Sequence, residues 1–360
     1  MQTMLRDECQ HFFYLHEGKT PAETLSSLAA YCAQHNIRQD CYGEGDVIKE
    51  FETQLAELLG KQAAVFMPSG TMAQQIAMRI WSERRENNTF ACHPTCHMEL
   101  NEFHGYQHLH GLRTCLLGDA EHLFTLADLQ NLETTPAALL IELPQRWMGG
   151  QLPTWEELEV ICKYARQNDI ALHLDGARIW ECMDYYERSL ADICALFDSV
   201  YVSFYKTLGG ICGAMLLGEQ SFIDESRIWL RRHGGNLYQL YPYVVSAKLS
   251  LEKHLPKIPA YCRRAAGIAG LLNNIDDIST LPAVPVTNMM HVYFPYGEKK
   301  LDAARDEIAR KHGVWMCSRF REGMQGSCYM ELFVGENLLA MTDSTLNEIF
   351  HDFIEYCQIA

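Results

Sequence analysis

One lysine of this 360-residue chain, Lys206, lies where a reactive amine would be placed. It follows an apolar segment, SVYVSF at residues 199–204, and belongs to the run SFYKTLGG at residues 203–210. An amine held at the end of a buried strand can form a Schiff base with a carbonyl group, whereas most lysines are solvated surface charges. Whether Lys206 is reactive depends on the groups that other strands bring beside it.

Polar residues follow three other apolar segments in the same way. They are Ser69, Gly70 and Thr71 after AAVFM (63–67), Gln145 and Arg146 after AALLIEL (137–143), and Asp175 and Arg178 at and beyond the end of IALHLD (170–175). Because ligands bind beyond the carboxyl ends of strands in an open parallel sheet, these side chains are expected at one edge. The SGT segment at a helix start also offers N–H groups and hydroxyls to an anion, although it is common as a simple turn.

The elements that must position these groups can be predicted from the apolar pattern. Buried strands are expected over 63–67, 137–143, 170–175, 199–204 and 214–218, because near-continuous apolar runs are typical of a sheet covered on both faces. Helices alternate with them: one begins after Asp46 and ends at Gly60, and Thr154 with Glu157 forms a capping-box pattern. The alternation over residues 45–220 predicts a mainly parallel, doubly wound α/β sheet.

A lysine, a buried carboxylate and an anion site together suit pyridoxal 5'-phosphate. This cofactor needs a Schiff-base lysine, here Lys206, an acidic partner for its pyridine nitrogen, here Asp175, and a phosphate site. The other interpretations are a surface lysine, a turn aspartate before Gly176 and a structural ion pair for Arg178.

Three motifs in this order resemble those of the threonine aldolase and β-eliminating lyase group of fold-type I pyridoxal-phosphate enzymes. They are MPSGTMAQQIA, HLDGARIW and SFYKTLGG, and the resemblance covers residues 41–240 well and the C-terminal third loosely. It implies a seven-stranded, mainly parallel sheet with a smaller C-terminal α+β domain. The domains implied are an N-terminal segment (1–44) packing near the small domain, a large cofactor-binding domain (45–250) and the small domain (251–360).

The resemblance also implies roles for individual residues. Lys206 would hold the cofactor covalently, Asp175 would pair with its ring nitrogen, and Arg178 would bind the substrate carboxylate. His97, with Glu102 five residues later, matches the histidine that stacks on the ring. The residues implied to bind the cofactor are Lys206, Asp175, Ser69, Gly70, Thr71, His97 and Ser203. Self-association as a homodimer or homotetramer follows from the family, in which active sites lie at subunit interfaces.

The chain departs from the family pattern at three positions. Gln145 lies where the family has a histidine that handles the substrate hydroxyl, and an amide cannot act as an ordinary general base. Tyr238 lies where an arginine assists phosphate binding, and Glu331 lies where a second carboxylate-binding arginine is expected. An aldolase without the histidine needs another base, and His104 is one candidate.

The function predicted is therefore a pyridoxal-phosphate-dependent carbon–carbon lyase that acts on a β-hydroxy-α-amino acid other than plain threonine. The catalytic residues predicted are Lys206, Asp175, His97, Arg178 and Gln145. An alternative is a β-eliminating lyase or a transaminase acting on another amino acid or amine.

The segment CHPTCHMELNEFH (92–104) supports a different hypothesis. Cys92 and Cys96 are four residues apart, as are His93 and His97, and such pairs can bind zinc. Pro94 interrupts a regular helix, and no second ligand cluster follows with a finger-like spacing. A metal- or redox-binding protein is therefore the non-enzyme alternative, and no metal is predicted.

Composition excludes some partners. The net charge of −16, from 30 basic and 46 acidic residues, argues against nucleic-acid binding. No apolar run is long enough to predict a membrane span, and no signal peptide is recognised. The 14 cysteines, scattered without a compact framework, are expected as reduced thiols of a cytoplasmic protein.

Overall fold

A computed structural model describes residues 2–16, 20–323 and 326–359. The helices are α1 (Gln2–Glu8), α2 (Pro21–Gln34), α3 (Asp46–Leu58), α4 (Gly70–Arg84), α5 (His97–Leu100), α6 (Gly105–His110), α7 (Leu126–Gln130), α8 (Trp155–Gln167), α9 (Met183–Tyr186), α10 (Leu190–Cys194), α11 (Gln220–Arg232), α12 (Tyr241–His254), α13 (Ile258–Leu272), α14 (Glu298–His312), α15 (Glu336–Ala340) and α16 (Asp343–Ile359). The strands are β1 (His11–Phe12), β2 (Ala63–Met67), β3 (Thr89–Cys92), β4 (Arg113–Leu116), β5 (Ala138–Glu142), β6 (Ala171–Gly176), β7 (Ser199–Ser203), β8 (Ala214–Gly218), β9 (Ser279–Leu281), β10 (Met289–Phe294), β11 (Val314–Trp315), β12 (Arg321–Glu322) and β13 (Cys328–Phe333).

The chain forms two compact units. The larger unit comprises Pro21–Trp147 and Leu152–Pro256, and the smaller one comprises Met1–Thr20, Met148–Gln151 and Lys257–Ala360. The residues predicted to do chemistry, Glu331 apart, all belong to the larger unit. Among the described residues, no helix is both long and apolar enough to cross a lipid bilayer.

A seven-stranded sheet in the order β2-β8-β7-β6-β5-β3-β4 is the frame of the larger unit. Its strands run parallel except β8, which is antiparallel to both β2 and β7. The predicted mainly parallel, seven-stranded α/β fold is therefore confirmed. The predicted strands over 63–67 and 214–218 match β2 and β8 residue for residue.

Register across the sheet aligns the strand ends that matter for chemistry. Glu142 on β5 lies opposite Asp175 on β6, and Asp175 lies opposite Tyr201 on β7. The three strands end within a residue or two of one another, because the parallel pairing is continuous from β5 to β7. The side chains that follow them therefore emerge at one edge of the sheet.

The residues that were predicted to begin or end two helices of the larger unit do so in the structure. Helix α3 begins at Asp46, and Gly60 follows its end with a φ of +64°, a value that a residue without a Cβ atom adopts without strain. Helix α8 has the predicted capping box, with the Thr154 hydroxyl accepting from the N–H of Glu157 and the Glu157 carboxylate accepting from the N–H of Thr154.

A four-stranded antiparallel sheet, in the order β12-β13-β10-β9, organises the smaller unit. Strand β10 matches the predicted strand MMHVYF, and α16 contains the predicted closing helix. Helix α14 packs on α16 within this unit, and β1 pairs with β11 in parallel.

A buried histidine links α4 to the central sheet. His173 has no exposed surface; its Nδ1 lies 2.7 Å from the Ser199 hydroxyl and its Nε2 lies 2.7 Å from the side-chain oxygen of Gln74. That oxygen can only accept, so Nε2 carries the proton and the imidazole is neutral with both nitrogens bonded. Burial lowers the pKa of His173 from 6.5 to about 3, because no charge compensates the loss of solvation.

This histidine is expected to make the folded chain acid-sensitive. Because the folded-state pKa of about 3 lies below the ordinary 6.5, its contribution to stability is complete above pH 6.5 and is lost as the pH falls towards 3. The free energy of unfolding should fall by about 1.4 kcal/mol per pH unit in that window from this group alone. The pH dependence of urea unfolding measures it, with His173→Gln as the control that cannot titrate. Equal slopes for the two proteins would contradict the prediction.

Candidate active site

Lys206 lies in the connection between β7 and its antiparallel neighbour β8. That connection folds back on itself: the N–H of Gly210 donates to the carbonyl oxygen of Phe204 at 2.7 Å, and a Cβ atom on Gly210 would lie 2.8 Å from the same oxygen. A side chain at position 210 would therefore push the loop open. The tight turn holds the partly buried Lys206 directly beyond the end of β7.

The surroundings of Lys206 favour its neutral amine. Desolvation and the nearby Arg178 guanidinium lower the pKa of Lys206, the carboxylates of Asp175 and Glu142 oppose them, and the resulting pKa is about 8. A lysine with this pKa has a substantial fraction of unprotonated amine near neutral pH, which is the form that attacks a carbonyl group. The sequence analysis predicted a reactive lysine here, and this electrostatic setting supports that prediction.

Asp175 is buried at the end of β6, with 2 % of its surface exposed. One carboxylate oxygen accepts from the N–H of Ala177 at 3.1 Å, which fixes the side chain against the turn that follows the strand. Its backbone carbonyl accepts from the N–H of Leu143 at 3.0 Å, so β5 and β6 stay paired up to this point. The carboxylate is thus held at the edge of the sheet that Lys206 also follows, and it raises the pKa of Lys206.

Two further carboxyl groups near Lys206 were missed by the sequence analysis. Burial and the neighbouring Asp175 raise the pKa of Glu142 to about 7, against the lowering effects of Lys206 and Arg178. Burial likewise raises the pKa of Glu181 to about 7, against Arg178 and the hydrogen bond from the Thr207 hydroxyl. Glu142 ends β5 opposite Asp175, so the same strand-end rule that found Asp175 could have found it. No sequence signal marked Glu181.

The predicted phosphate residues form the start of α4. Ser69 is the N-cap, and its hydroxyl accepts from the N–H of Met72 at 3.2 Å. The N–H groups of Gly70 and Thr71 lie in the first turn, where no helix carbonyl can accept from them. A Cβ atom on Gly70 would lie 1.9 Å from the Tyr201 hydroxyl, so glycine is required for the close approach to β7. This helix start offers N–H donors and a partial positive charge to an anion.

His97 begins helix α5 and is held through its carboxylate neighbour. Its Nδ1 lies 2.9 Å from one oxygen of Glu102, and the other oxygen of Glu102 accepts from the side-chain amide of Gln75 at 3.0 Å. Glu102 is buried, whereas His97 is partly exposed. The acceptor at Nδ1 fixes the orientation of the imidazole and leaves Nε2 for a ligand.

Arg178 and Gln145 both lie at the same edge of the sheet. Arg178 is buried just beyond β6 and lowers the pKa of Lys206, Glu142 and Glu181. Gln145 is buried three residues beyond the end of β5, and its side-chain amide donates to the Thr95 hydroxyl at 3.0 Å. Ser203 ends β7 with its carbonyl accepting from the Trp180 indole N–H at 3.1 Å.

Two other positions depart from the family pattern: Tyr238 is more exposed than Gln145, and Glu331 lies in the smaller unit. Tyr238 is 62 % exposed and makes an edge-to-face contact with Tyr42 at 5.3 Å between ring centroids. Glu331, on β13, lies 3.4 Å from a guanidinium nitrogen of Arg321 on β12. An arginine that sequence reasoning did not single out therefore accompanies Glu331. The ring of His104, 3.2 Å from the Tyr106 hydroxyl, is half exposed.

The segment that suggested zinc uses its histidines in other ways. His93 is 2 % exposed and has both ring nitrogens engaged, by Thr95 and by the carbonyl of His122. His97 is engaged by Glu102. Among the described residues, the clusters of potential metal ligands lie elsewhere and do not include this segment.

The donor set at this edge fits pyridoxal phosphate. An amine with a lowered pKa, a buried carboxylate that acts on that pKa and a helix start with open N–H groups are the three groups that the cofactor requires. The doubly wound sheet and this set of groups define a pyridoxal-phosphate-dependent enzyme of fold type I.

Comparison with known proteins narrows the class. The family model described as β-eliminating lyase matches residues 20–294, and the chain belongs to this family of pyridoxal-phosphate-dependent lyases. A Listeria monocytogenes crystal structure, provisionally named an L-allo-threonine aldolase, is 41% identical with a TM-score of 0.92, covering 98% of this chain and 99% of that one.

Curated relatives point the same way. The low-specificity L-threonine aldolase of Candida albicans is 30% identical over 71% of this chain and 71% of its own length. Aldolase vrtJ of Penicillium aethiopicum is 30% identical over 65% of this chain and 61% of its own length. The match therefore spans about three fifths of the Penicillium aldolase. The non-enzyme alternative is wrong, because the chain is a lyase by family.

Proposed function

We propose that this lyase cleaves the Cα–Cβ bond of a β-hydroxy-α-amino acid and is a poor catalyst for plain threonine. The observation that carries the proposal is the arrangement around Lys206, whose amine has a pKa of about 8 and lies beside Asp175. The similarity to threonine aldolases supports the reaction, and the buried amide of Gln145 supports the altered substrate preference.

Each residue has a defined part in this proposal. Lys206 supplies the amine that holds the cofactor, Asp175 keeps the cofactor ring nitrogen protonated, and the start of α4 binds phosphate. Pyridoxal phosphate, when bound, accepts the electrons of the bond that breaks. Arg178 binds the substrate carboxylate, and His97, oriented by Glu102, lies against the ring.

Bond cleavage requires the hydroxyl proton to leave, and Gln145 cannot take it. An amide both donates and accepts hydrogen bonds but is not a base near neutral pH. Glu142 and Glu181, each with a pKa of about 7, are carboxyl groups near Lys206 that can accept a proton in the neutral range. β-Elimination is the second candidate, since it needs a base at Cα, which the released amine of Lys206 supplies.

Substrate profiling tests the proposal. The unmodified protein should release glycine and an aldehyde from a bulky β-hydroxy amino acid such as phenylserine, with little cleavage of L-threonine. Gln145→His should raise threonine cleavage by at least about tenfold, because general-base assistance contributes about 10²–10⁴-fold. Gln145→Asn is the matched control, since it retains an amide without a base. Ammonia and a 2-oxo acid in place of glycine would favour elimination, and efficient threonine cleavage by the unmodified protein would contradict the role of Gln145.

We also propose self-association near this edge. Phe103 is 92 % exposed between α5 and α6, and Leu100 and Leu109, on those two helices, are exposed as well. Three exposed apolar side chains within ten residues of the chain, close in sequence to His97, are expected to be covered by a second copy of the chain. Sedimentation of the cofactor-loaded protein distinguishes a monomer from a dimer or tetramer.

A cytoplasmic location is proposed on the state of the thiols. The 14 cysteines all lie in the described part of the chain, where none forms a disulfide bond and most are buried, as expected in a reducing compartment. Fractionation of source cells tests this proposal.

A further inference from the structure

Gln145 is the end of a buried chain of hydrogen bonds. Its amide nitrogen lies 3.0 Å from the Thr95 hydroxyl, which lies 2.8 Å from Nδ1 of His93, and Nε2 of His93 lies 2.9 Å from the carbonyl oxygen of His122. His93 is 2 % exposed, Thr95 8 % and Gln145 3 %. We call these three side chains the relay.

The direction of every bond in the relay follows from one backbone group. The N–H of Thr95 donates to Nδ1 of His93 at 3.1 Å, so this nitrogen carries no proton. Nε2 must then carry it and donate to the carbonyl of His122. If the ring were protonated, its Nδ1–H would point at the N–H of Thr95, and two donors would face each other. Desolvation also lowers the pKa of His93 and so disfavours the protonated ring.

The Thr95 hydroxyl has a single hydrogen, which settles the next bond. It lies 2.8 Å from the bare Nδ1 of His93, so it donates there and only its lone pairs face Gln145. Gln145 must therefore direct its NH₂ group at Thr95. If the Gln145 amide were inverted, its oxygen would face the Thr95 hydroxyl oxygen with no hydrogen between them, because that hydrogen is donated to His93. The side-chain oxygen Oε1 is consequently the atom of Gln145 that remains to bind a ligand, and it can only accept.

We propose that the relay sets Gln145 as a fixed acceptor for the β-hydroxyl of the substrate, so that Thr95 and His93 are positioning residues for substrate selection. Gln145 follows Leu143, whose N–H binds the carbonyl of Asp175 at 3.0 Å, so the relay ends at the same sheet edge as Lys206. An ether or an unsubstituted methylene at Cβ has no proton to donate and is discriminated against. This inference rests on the proposed function for the identity of the ligand group.

Paired substitutions at position 95 in the cofactor-loaded protein test the inference. Thr95→Val keeps the shape and removes the nearer of the two groups that orient the Gln145 amide nitrogen, which lies 3.0 Å from the Thr95 hydroxyl and 3.4 Å from Nδ1 of His93. Thr95→Ser keeps the hydroxyl. The Michaelis constant for phenylserine and the inhibition constant of phenylalanine, which lacks the β-hydroxyl, measure the selection. Thr95→Val should weaken phenylserine binding about tenfold with less than about twofold change for phenylalanine, and Thr95→Ser should leave both near wild type. Equal losses for both ligands in Thr95→Val, or no loss for either, would overturn the proposal.

A spectroscopic measurement separates this inference from the proposed function. Nitrogen-15 spectra of protein labelled at histidine should show the Nε2–H tautomer for His93, assigned by its disappearance in His93→Gln. The tautomer is read without substrate, so a protein that cleaves no β-hydroxy amino acid contradicts the proposed function and leaves the relay standing. An Nδ1–H tautomer or a charged ring at pH 7 would overturn the relay whatever the activity. Retained visible absorbance and melting temperature in both position-95 variants show that they fold.

Discussion

Lys206→Ala is expected to abolish both turnover and the visible absorbance of the lysine-bound cofactor. The amine is the only atom group of Lys206 that the proposed chemistry needs, and its loss removes a covalent step, so activity should fall by at least about 10³-fold. The fold should survive, because an amine with a pKa lowered to about 8 is already poorly solvated and alanine relieves that burial. Absorbance spectra and turnover of the purified variant measure the effect.

A second buried lysine provides the matched control. Lys61 also has a pKa lowered by burial, and it donates to the carbonyl oxygen of Phe197 at 2.5 Å, but it precedes β2 whereas the phosphate residues follow that strand. Lys61→Ala should lower the melting temperature and keep the absorbance. Borohydride reduction of the wild-type protein followed by peptide mapping identifies the modified lysine. Label on any lysine other than Lys206 would show that the assignment is wrong.

Asp175→Asn is expected to slow turnover by about 10- to 100-fold while the protein still binds the cofactor. A hydrogen bond to a charged group contributes about 1.5–3 kcal/mol, and an amide cannot hold a ring nitrogen in its protonated form as a carboxylate does. Packing should change little, because asparagine can still accept from the N–H of Ala177. Turnover must be measured where the chemical step limits the rate.

Asp198→Asn is the control for this substitution. The Asp198 carboxylate also accepts from a backbone N–H, that of Leu172 at 2.7 Å, but it lies just before β7, at the opposite end from Lys206. Its substitution should leave turnover within about twofold of wild type, as expected of a group remote from the reacting atoms. Unchanged turnover in Asp175→Asn would remove Asp175 from the mechanism.

The fold was largely predictable because the central strands are buried on both faces. Strands β2, β5, β6, β7 and β8 read as near-continuous apolar runs, and their predicted bounds differ from the observed ones by no more than one residue at each end. Strand β4 (RTCL) was not predicted, because it lies at the sheet edge with both terminal residues exposed and has no apolar run. Short helices such as α5 and α6 are set by tertiary contacts rather than by local periodicity.

The site was predictable only where a side chain directly follows a predicted strand. Lys206 and Asp175 were found in this way, and the structure brings them together, although their catalytic roles remain predictions. Glu181 and the bond between Thr95 and Gln145 were not foreseeable, because each depends on a contact between segments far apart in the chain. Gln145 was identified from its departure from a resemblance, but its orientation required the coordinates of Thr95 and His93.

The relay also constrains how this chain can diverge. The direction of each bond depends on the bond next to it, so positions 93, 95 and 145 depend on one another. A replacement at one of them is tolerated only if it supplies the donor or the acceptor that the neighbouring side chain needs. The imidazole of Gln145→His meets that condition, since one nitrogen can donate to Thr95 and leaves the other with a bare lone pair. A single substitution at position 145 therefore replaces an amide by a base while the bonds between Thr95 and His93 behind it are kept.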